Sequence, residues 1–177
     1  MRKLLERLHL VKSIDYNSVE YLRSQGMTIG ENVDILNSTL DGCHGFLISI
    51  GNNVTITGAT LLCHDASTKK ELGYSKVGRI DIGNDVFIGK GSIILPGTRI
   101  GNRVIVGAGC VVASDIPDNS VVAGNPARIL CTYDAYMEKN RRLMETNPVY
   151  TTHFSQKTEA DKQKMKAELE GMIGFDV

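Results

Sequence analysis

The chain carries no net charge: 20 basic residues balance 20 acidic ones. That balance offers neither a nucleic-acid backbone nor an anionic membrane surface a reason to bind. A long apolar run is missing too, and nothing approaches the roughly 20 residues that a membrane span needs. The opening Met1-Arg2-Lys3-Leu4-Leu5-Glu6-Arg7 puts charge where a secretory leader needs an apolar core, so no leader is expected. Cys43, Cys63, Cys110 and Cys131 lack paired spacing, which leaves no disulfide framework to read. Small buried thiols in a reducing compartment account for them, and a cytoplasmic location is expected. At 177 residues one domain with additions at its ends is the natural size.

What the chain does have is a period of six. Ile82, Ile88, Ile94, Ile100 and Val106 each open a block, and a small or polar residue usually follows. A helix needs apolar spacing of three and four, and a simple strand alternates by two. Period six matches a β-solenoid, in which each block is a short strand plus a turn and stacked coils bury the repeated aliphatics. Ile50, Ile56 and Leu62 stand in phase with one another, and Ile29 and Ile35 form a weaker earlier pair. The rhythm breaks between Leu62 and Ile82. Residues 67–79 are polar there, an excursion of the kind that carries function on a solenoid.

The expected organisation has three parts. Residues 1–28 form a helical cap, with Leu4, Leu8 and Val11 on one face and Asn17 with Glu20 capping a second short helix that ends near Gly26. Residues 29–130 form the solenoid, ending where proline and glycine punctuate the chain around Pro117 and Gly124. Residues 131–177 form a helical extension. One helix is expected from Tyr133 to about Thr146, stopped by Pro148, and another from near Thr158 with Met165, Leu169 and Met172 on one face. Helices at the two ends would cover the open edges of the stack.

Several segments resemble a known family. They are Cys63-His64-Asp65, Ile82-Gly83-Asn84-Asp85-Val86-Phe87-Ile88-Gly89, Ile94-Leu95-Pro96-Gly97, Val106-Gly107-Ala108-Gly109 and Val122-Ala123-Gly124-Asn125-Pro126-Ala127-Arg128. In order and spacing they resemble the hexapeptide-repeat acyltransferases, in the branch of galactoside, maltose and xenobiotic O-acetyltransferases. Cys43-His44-Gly45-Phe46-Leu47-Ile48 and His64-Asp65-Ala66-Ser67-Thr68 are similar to enzymes of bacterial capsule and surface-polysaccharide loci. The resemblance implies a left-handed parallel β-helix with 18 residues per coil, acetyl-CoA as co-substrate and no metal. It also implies a homotrimer whose active sites lie between subunits.

Acetyl transfer from a thioester to a hydroxyl needs a base for the hydroxyl proton, and histidine is the natural one. His64 stands where the family has its catalytic histidine; otherwise it is a surface histidine at a loop mouth. Asp65 either orients the imidazole or solvates the loop, and both it and His44 are candidates for the acceptor side. His44 is otherwise a turn residue bonded to backbone. His9 and His153 fall in terminal segments and read as surface residues. For the coenzyme, the resemblance points to backbone at Gly107 and Ala108, which small side chains leave approachable, and to Arg128 on a phosphate. Lys90 is a further candidate. Phe87 replaces a tryptophan common in the galactoside enzymes and keeps the wall apolar.

Two departures matter. Gly58-Ala59 stands where galactoside and maltose enzymes have an acceptor-binding asparagine, and Ser114 where they have a lysine. The leading expectation is an acetyl-CoA-dependent O-acetyltransferase acting on a sugar of a surface polysaccharide or its precursor. A xenobiotic (antibiotic) O-acetyltransferase is the alternative within the class, and a non-catalytic solenoid scaffold the alternative outside it. A sugar-nucleotide N-acetyltransferase would need a nucleotide-binding domain that 28 residues cannot build. A zinc carbonic anhydrase on this solenoid would need three converging histidines, and His44 and His64 supply two.

Overall fold

The computed structural model describes residues 15–177. They fall into two compact units, one ending at Tyr133 and one spanning Asp134–Val177. The expected helix with Leu4, Leu8 and Val11 lies outside the described residues.

The first unit is a left-handed parallel β-helix of three faces. The first face stacks Thr28–Ile29, Ile48–Ile50, Ile80–Ile82 and Thr98–Ile100. The second stacks Val33–Leu36, Val54–Thr57, Val86–Ile88, Val104–Val106 and Ser120–Ala123. The third stacks Thr39–Leu40, Thr60–Leu61, Ile93–Ile94 and Val111–Val112. Arg128–Thr132 then turns back antiparallel on Ser120–Ala123 and ends the second face. All other pairings between these faces' strands are parallel.

Side chains alternate across each strand. The inward set is Ile82, Ile88, Ile94, Ile100, Val106 and Val112, each buried. These are the residues of the six-residue period, and Ile82 pairs with Ile100 and Ile88 with Val106, one 18-residue coil apart. Between the first and second faces the sequence Ile-Gly-Asn repeats for a physical reason. The amide oxygen of Asn52 accepts from the Glu31 N–H, that of Asn84 from Asn52, that of Asn102 from Asn84, and the carboxylate of Asp118 from Asn102. The ladder draws the coils together so closely that a Cβ at Gly101 would lie 2.3 Å from Asp118 Oδ1. At the next position Asn32, Asn53, Asp85, Arg103 and Asn119 all take positive φ between 53° and 56°. Asn and Asp tolerate that conformation better than most residues, which accounts for four of these five.

The earlier coils depart from the expected phase. Leu61, not Leu62, is the buried residue, and it pairs with Ile94. The turn at Gly58 is one residue shorter than the turn at Lys90-Gly91, so alternation turns Leu62 outward. Gly58 itself has φ +51°, and Ala59 after it is buried, so this pair builds a turn. The short helix before the solenoid is Val19–Ser24, capped by Ser18, whose hydroxyl accepts from the Tyr21 N–H. Ser18 does what was expected of Asn17, and Glu20 lies in the first turn rather than closing a box.

In the second unit a helix spans Tyr133–Thr146, beginning one residue before the unit. Another spans Glu159–Glu168, with a capping box made by Thr158 and Asp161. The helix stops before Met172, which is exposed beyond it. Val149–Tyr150 pairs in parallel with Phe175–Asp176. Among the described residues no helix is long and apolar enough to cross a membrane.

Candidate active site

Two excursions leave the stack at the same corner, between the third face and the first. The lower one runs from Asp41 to Leu47 and includes the 3₁₀ turn Gly45–Leu47. The upper one runs from Leu62 to Arg79. It carries a two-stranded ribbon of His64–Asp65 with Lys76–Val77, and between these strands the turn Ala66–Thr68 and the short helix Lys69–Leu72. The predicted polar segment 67–79 therefore begins inside a larger insertion. Because the Asp41 N–H donates to the Leu61 carbonyl, the two excursions start one above the other.

This stacking puts Asp41 behind His64. His64 Nδ1 and Asp41 Oδ2 are 2.5 Å apart. The carboxylate is buried, and backbone N–H groups of Cys43, His44 and Cys63 also donate to it. Burial pushes the carboxyl up. The bonds from His64 and from the backbone of His44, Cys63 and Cys43 outweigh it and hold the group below the ordinary carboxylate range. Asp41 is thus an anion fixed in place, accepting from Nδ1 and leaving Nε2 as the free nitrogen of His64. Asp41 was not among the residues singled out from sequence. Its signal was the 21-residue step from Ile35 to Ile56 and from Leu40 to Leu61, which sets Asp41 opposite Leu62, two residues from His64.

Asp65 is occupied elsewhere. Its carboxylate pairs with Lys76 Nζ at 2.5 Å and accepts from the Ser67 N–H. The Lys76 bond leads in lowering its pKa to about 2. It is the carboxylate of Asp41 that contacts the imidazole, while that of Asp65 contacts Lys76, as expected where adjacent residues of a strand point apart. His44 does come to the site: its ring lies 5.0 Å from that of His64, centroid to centroid, at 40°. Cys63, whose backbone N–H donates to Asp41, is fully buried. Burial first, and the Asp41 charge second, push its thiol up to about 11, so it stays protonated and is no nucleophile at neutral pH.

A cleft of about 780 Å³ opens beside His64. Asp65, Lys76 and Val77 of the ribbon line one part of it, and Leu95, Pro96 and Ala113 of the next two coils another. Phe87, Lys90, Gly107, Ala108 and Arg128 do not line it. Phe87 points outward from the second face. Lys90, Gly107 and Ala108 belong to the corner between the second and third faces, and Arg128 starts the antiparallel strand. Within one chain, then, the third face separates the histidine corner from the corner expected to hold coenzyme.

Residues 79–114 match the family described as bacterial transferase hexapeptide (six repeats). Protein CapG of Staphylococcus aureus is 45% identical over 130 residues, covering 69% of this chain and 75% of that protein. The chain belongs to the hexapeptide-repeat acyltransferases. The putative acetyltransferase YvoF of Bacillus subtilis (strain 168) is 38% identical over 100 residues, and this match spans just over half of either chain, 55%. Among solved structures, a maltose O-acetyltransferase from Clostridium difficile 630 shares the fold with a TM-score of 0.53 and 28% identity, over 74% of this chain and 83% of that one. The resemblance expected from the motifs at Cys63-His64-Asp65 and Ile82–Gly89 is thus the family the chain is in, and the β-helix expected with it is the fold observed.

Proposed function

We propose that the chain transfers an acetyl group from acetyl-CoA to a sugar hydroxyl, with His64 as general base and Asp41 positioning it. The observation that carries this reading is the 2.5 Å contact between His64 Nδ1 and a buried carboxylate, at the mouth of a cleft. With Nδ1–H donated to Asp41, Nε2 takes the proton of an acceptor hydroxyl as its oxygen attacks the thioester carbonyl. The tetrahedral intermediate collapses by breaking the carbon–sulfur bond. The imidazolium then returns its proton to the departing thiolate. The Asp41 charge stabilises the imidazolium between these steps, in a site where burial strengthens the interaction.

The coenzyme would lie along Gly107, Ala108, Phe87 and Lys90 with Arg128 on a phosphate. Those residues are on the far side of the third face from His64, so a site made by one subunit's His64 and its neighbour's coenzyme corner fits the geometry. The outward rows support contact on those faces. The first face presents Thr28, Ser49, Asp81 and Arg99; the second presents Asp34 and Thr55 and then, in the regular coils, Phe87 and Ile105; the third presents Thr39 and Thr60 and then Ile93 and Val111, so the apolar outward residues gather on the regular coils of the second and third faces. A homotrimer with three such sites is the closed assembly we infer. A sugar acceptor is supported by the maltose enzyme among the solved structures, and a surface or capsular polysaccharide by the motifs at Cys43–Ile48 and His64–Thr68. The free thiols suit a reducing compartment, and we place the enzyme in the cytoplasm.

The test is release of free thiol from acetyl-CoA against a panel of monosaccharides, polysaccharide fragments and antibiotics, with Arg128→Ala alongside. Turnover on a sugar is expected. Arg128→Ala should weaken acetyl-CoA binding by about tenfold or more with turnover at saturating donor little changed. A chain that neither binds acetyl-CoA nor acetylates any hydroxyl in the panel is not this enzyme.

A further inference from the structure

We propose that Asp41, His44 and His64 form a site for one divalent transition-metal ion, zinc above others, whose binding switches the acyl-transfer centre off. One ligand atom from each of the three lies within 4.8 Å of the other two. Two imidazoles and a carboxylate are a donor set that zinc accepts, with a fourth position left to water. Among the described residues no other three His, Cys, Asp or Glu side chains converge in this way.

His44 gives the second observation. Its Nδ1 is buried, has no hydrogen-bond partner, and lies 3.6 Å from Asp41 Oδ1. A buried polar atom left unpaired is costly, and such atoms in folded proteins call for a reason. Coordination supplies one. Zinc holds nitrogen and oxygen ligands at about 2.0–2.1 Å, which sets tetrahedral ligand atoms about 3.3 Å apart. His44 and Asp41 are already near that spacing. His64 Nδ1 lies against the other oxygen of the carboxylate, Oδ2, at 2.5 Å, and must open by roughly 0.8 Å, the two oxygens of Asp41 facing one imidazole each. The backbone N–H groups of Cys43, His44 and Cys63 hold the carboxylate while this happens, as groups behind a metal ligand do elsewhere.

The switch follows from the tautomer. Without metal, His64 carries its proton on Nδ1 and its lone pair on Nε2. A metal on Nδ1 needs the lone pair there, so Nδ1 gives its proton to solvent and Nε2 takes one up, with no net release. Nε2 is then a donor and cannot accept the proton of a hydroxyl. The inhibition rests on the acetyl-transfer reading; the binding does not.

The experiment is calorimetric titration of the full chain with zinc chloride after stripping with EDTA, followed by turnover at the same zinc concentrations. One zinc per chain is expected. His44→Phe, which keeps a flat ring without nitrogen, and Asp41→Asn should each weaken binding by at least about tenfold. Should His44→Phe not fold, judged by its thermal melt, His44→Gln takes its place with the same expectation. Cys43→Ser, which removes the exposed thiol beside the cluster, should bind as the parent does. Turnover should fall in step with occupancy and return with EDTA. The zinc level for half inhibition should rise in the His44 variant by the same factor as its Kd. No binding, affinity indifferent to His44, or affinity lost in Cys43→Ser overturns the site. Binding with the expected pattern but undiminished turnover overturns the switch. Binding without acetyl transfer by the metal-free protein on any acceptor upholds the site and counts against the acetyl-transfer reading alone.

Discussion

From Ile82 to Val112 the buried aliphatics step by six without a slip, and the corner between third and first faces is the short run Leu95-Pro96-Gly97. From Leu40 to Ile80 the same corner is interrupted twice, by seven residues and then by eighteen, and coil partners stand 21 and 32 residues apart instead of 18. The regular coils bury aliphatic side chains and close their ladder with Asn84, Asn102 and Asp118. The interrupted coils bury a carboxylate and set two imidazoles against it. Both regions share one core. A solenoid can therefore keep its frame and its chemistry on different residues, because an insertion at a corner leaves the strands on either side paired.

If that division holds, a change in the interrupted coils should strike turnover and a change in the regular coils should strike stability. The largest expected effect is His64→Ala. General-base catalysis contributes about 10²–10⁴-fold, and turnover should fall by that much. Acetyl-CoA affinity, read by calorimetry, should stay near that of the parent, since the residues proposed to hold the coenzyme are elsewhere. A variant that binds donor poorly but turns over normally at saturation would break the contrast.

Gly101→Ala tests the other side. Its Cβ would lie 2.3 Å from Asp118 Oδ1 and 2.6 Å from the Asp118 backbone nitrogen, and backbone cannot move aside without parting the coils. Crowding of this sort costs about 1–3 kcal/mol, which denaturant unfolding can measure. The rate per folded molecule should be unchanged.

A smaller effect concerns acid. The folded-state pKa of Asp41 is lowered. Its contribution to stability is therefore complete above the unfolded carboxylate value of about 3.9 and is lost as pH falls through the lower folded value. Asp65, Asp118 and Asp161 are shifted the same way, so Asp41 is isolated by difference. The unfolding temperature of Asp41→Asn should fall less steeply than that of the parent below about pH 4. Parallel curves would show that the Asp41 charge does not hold the corner together.

The sequence and the molecule agree where the period is strict. Ile82, Ile88, Ile94, Ile100 and Val106 mark the core because each coil there has the same length. They part at Leu62, where the short turn at Gly58 shifts the alternation by one residue and no composition signal announces it. Of the site, His64 was visible because its motif is local. Asp41 was not, because it stands 23 residues away and meets His64 through an excursion whose length the period does not supply. Asp65 was visible for the opposite reason: it is next to His64 in the chain, where a strand turns neighbours to opposite sides.

Those two aspartates give the most direct test of the claim that the carboxylate behind the base comes from the coil below. Single-turnover acetyl transfer should be measured for Asp41→Asn and Asp65→Asn side by side, at saturating acetyl-CoA. An orienting carboxylate replaced by its amide should slow the chemical step by about 10²–10⁴-fold in Asp41→Asn, while Asp65→Asn, losing a pairing with Lys76 at the ribbon, should keep most of its rate. The reverse order, or equal rates, would contradict the assignment of Asp41 to His64.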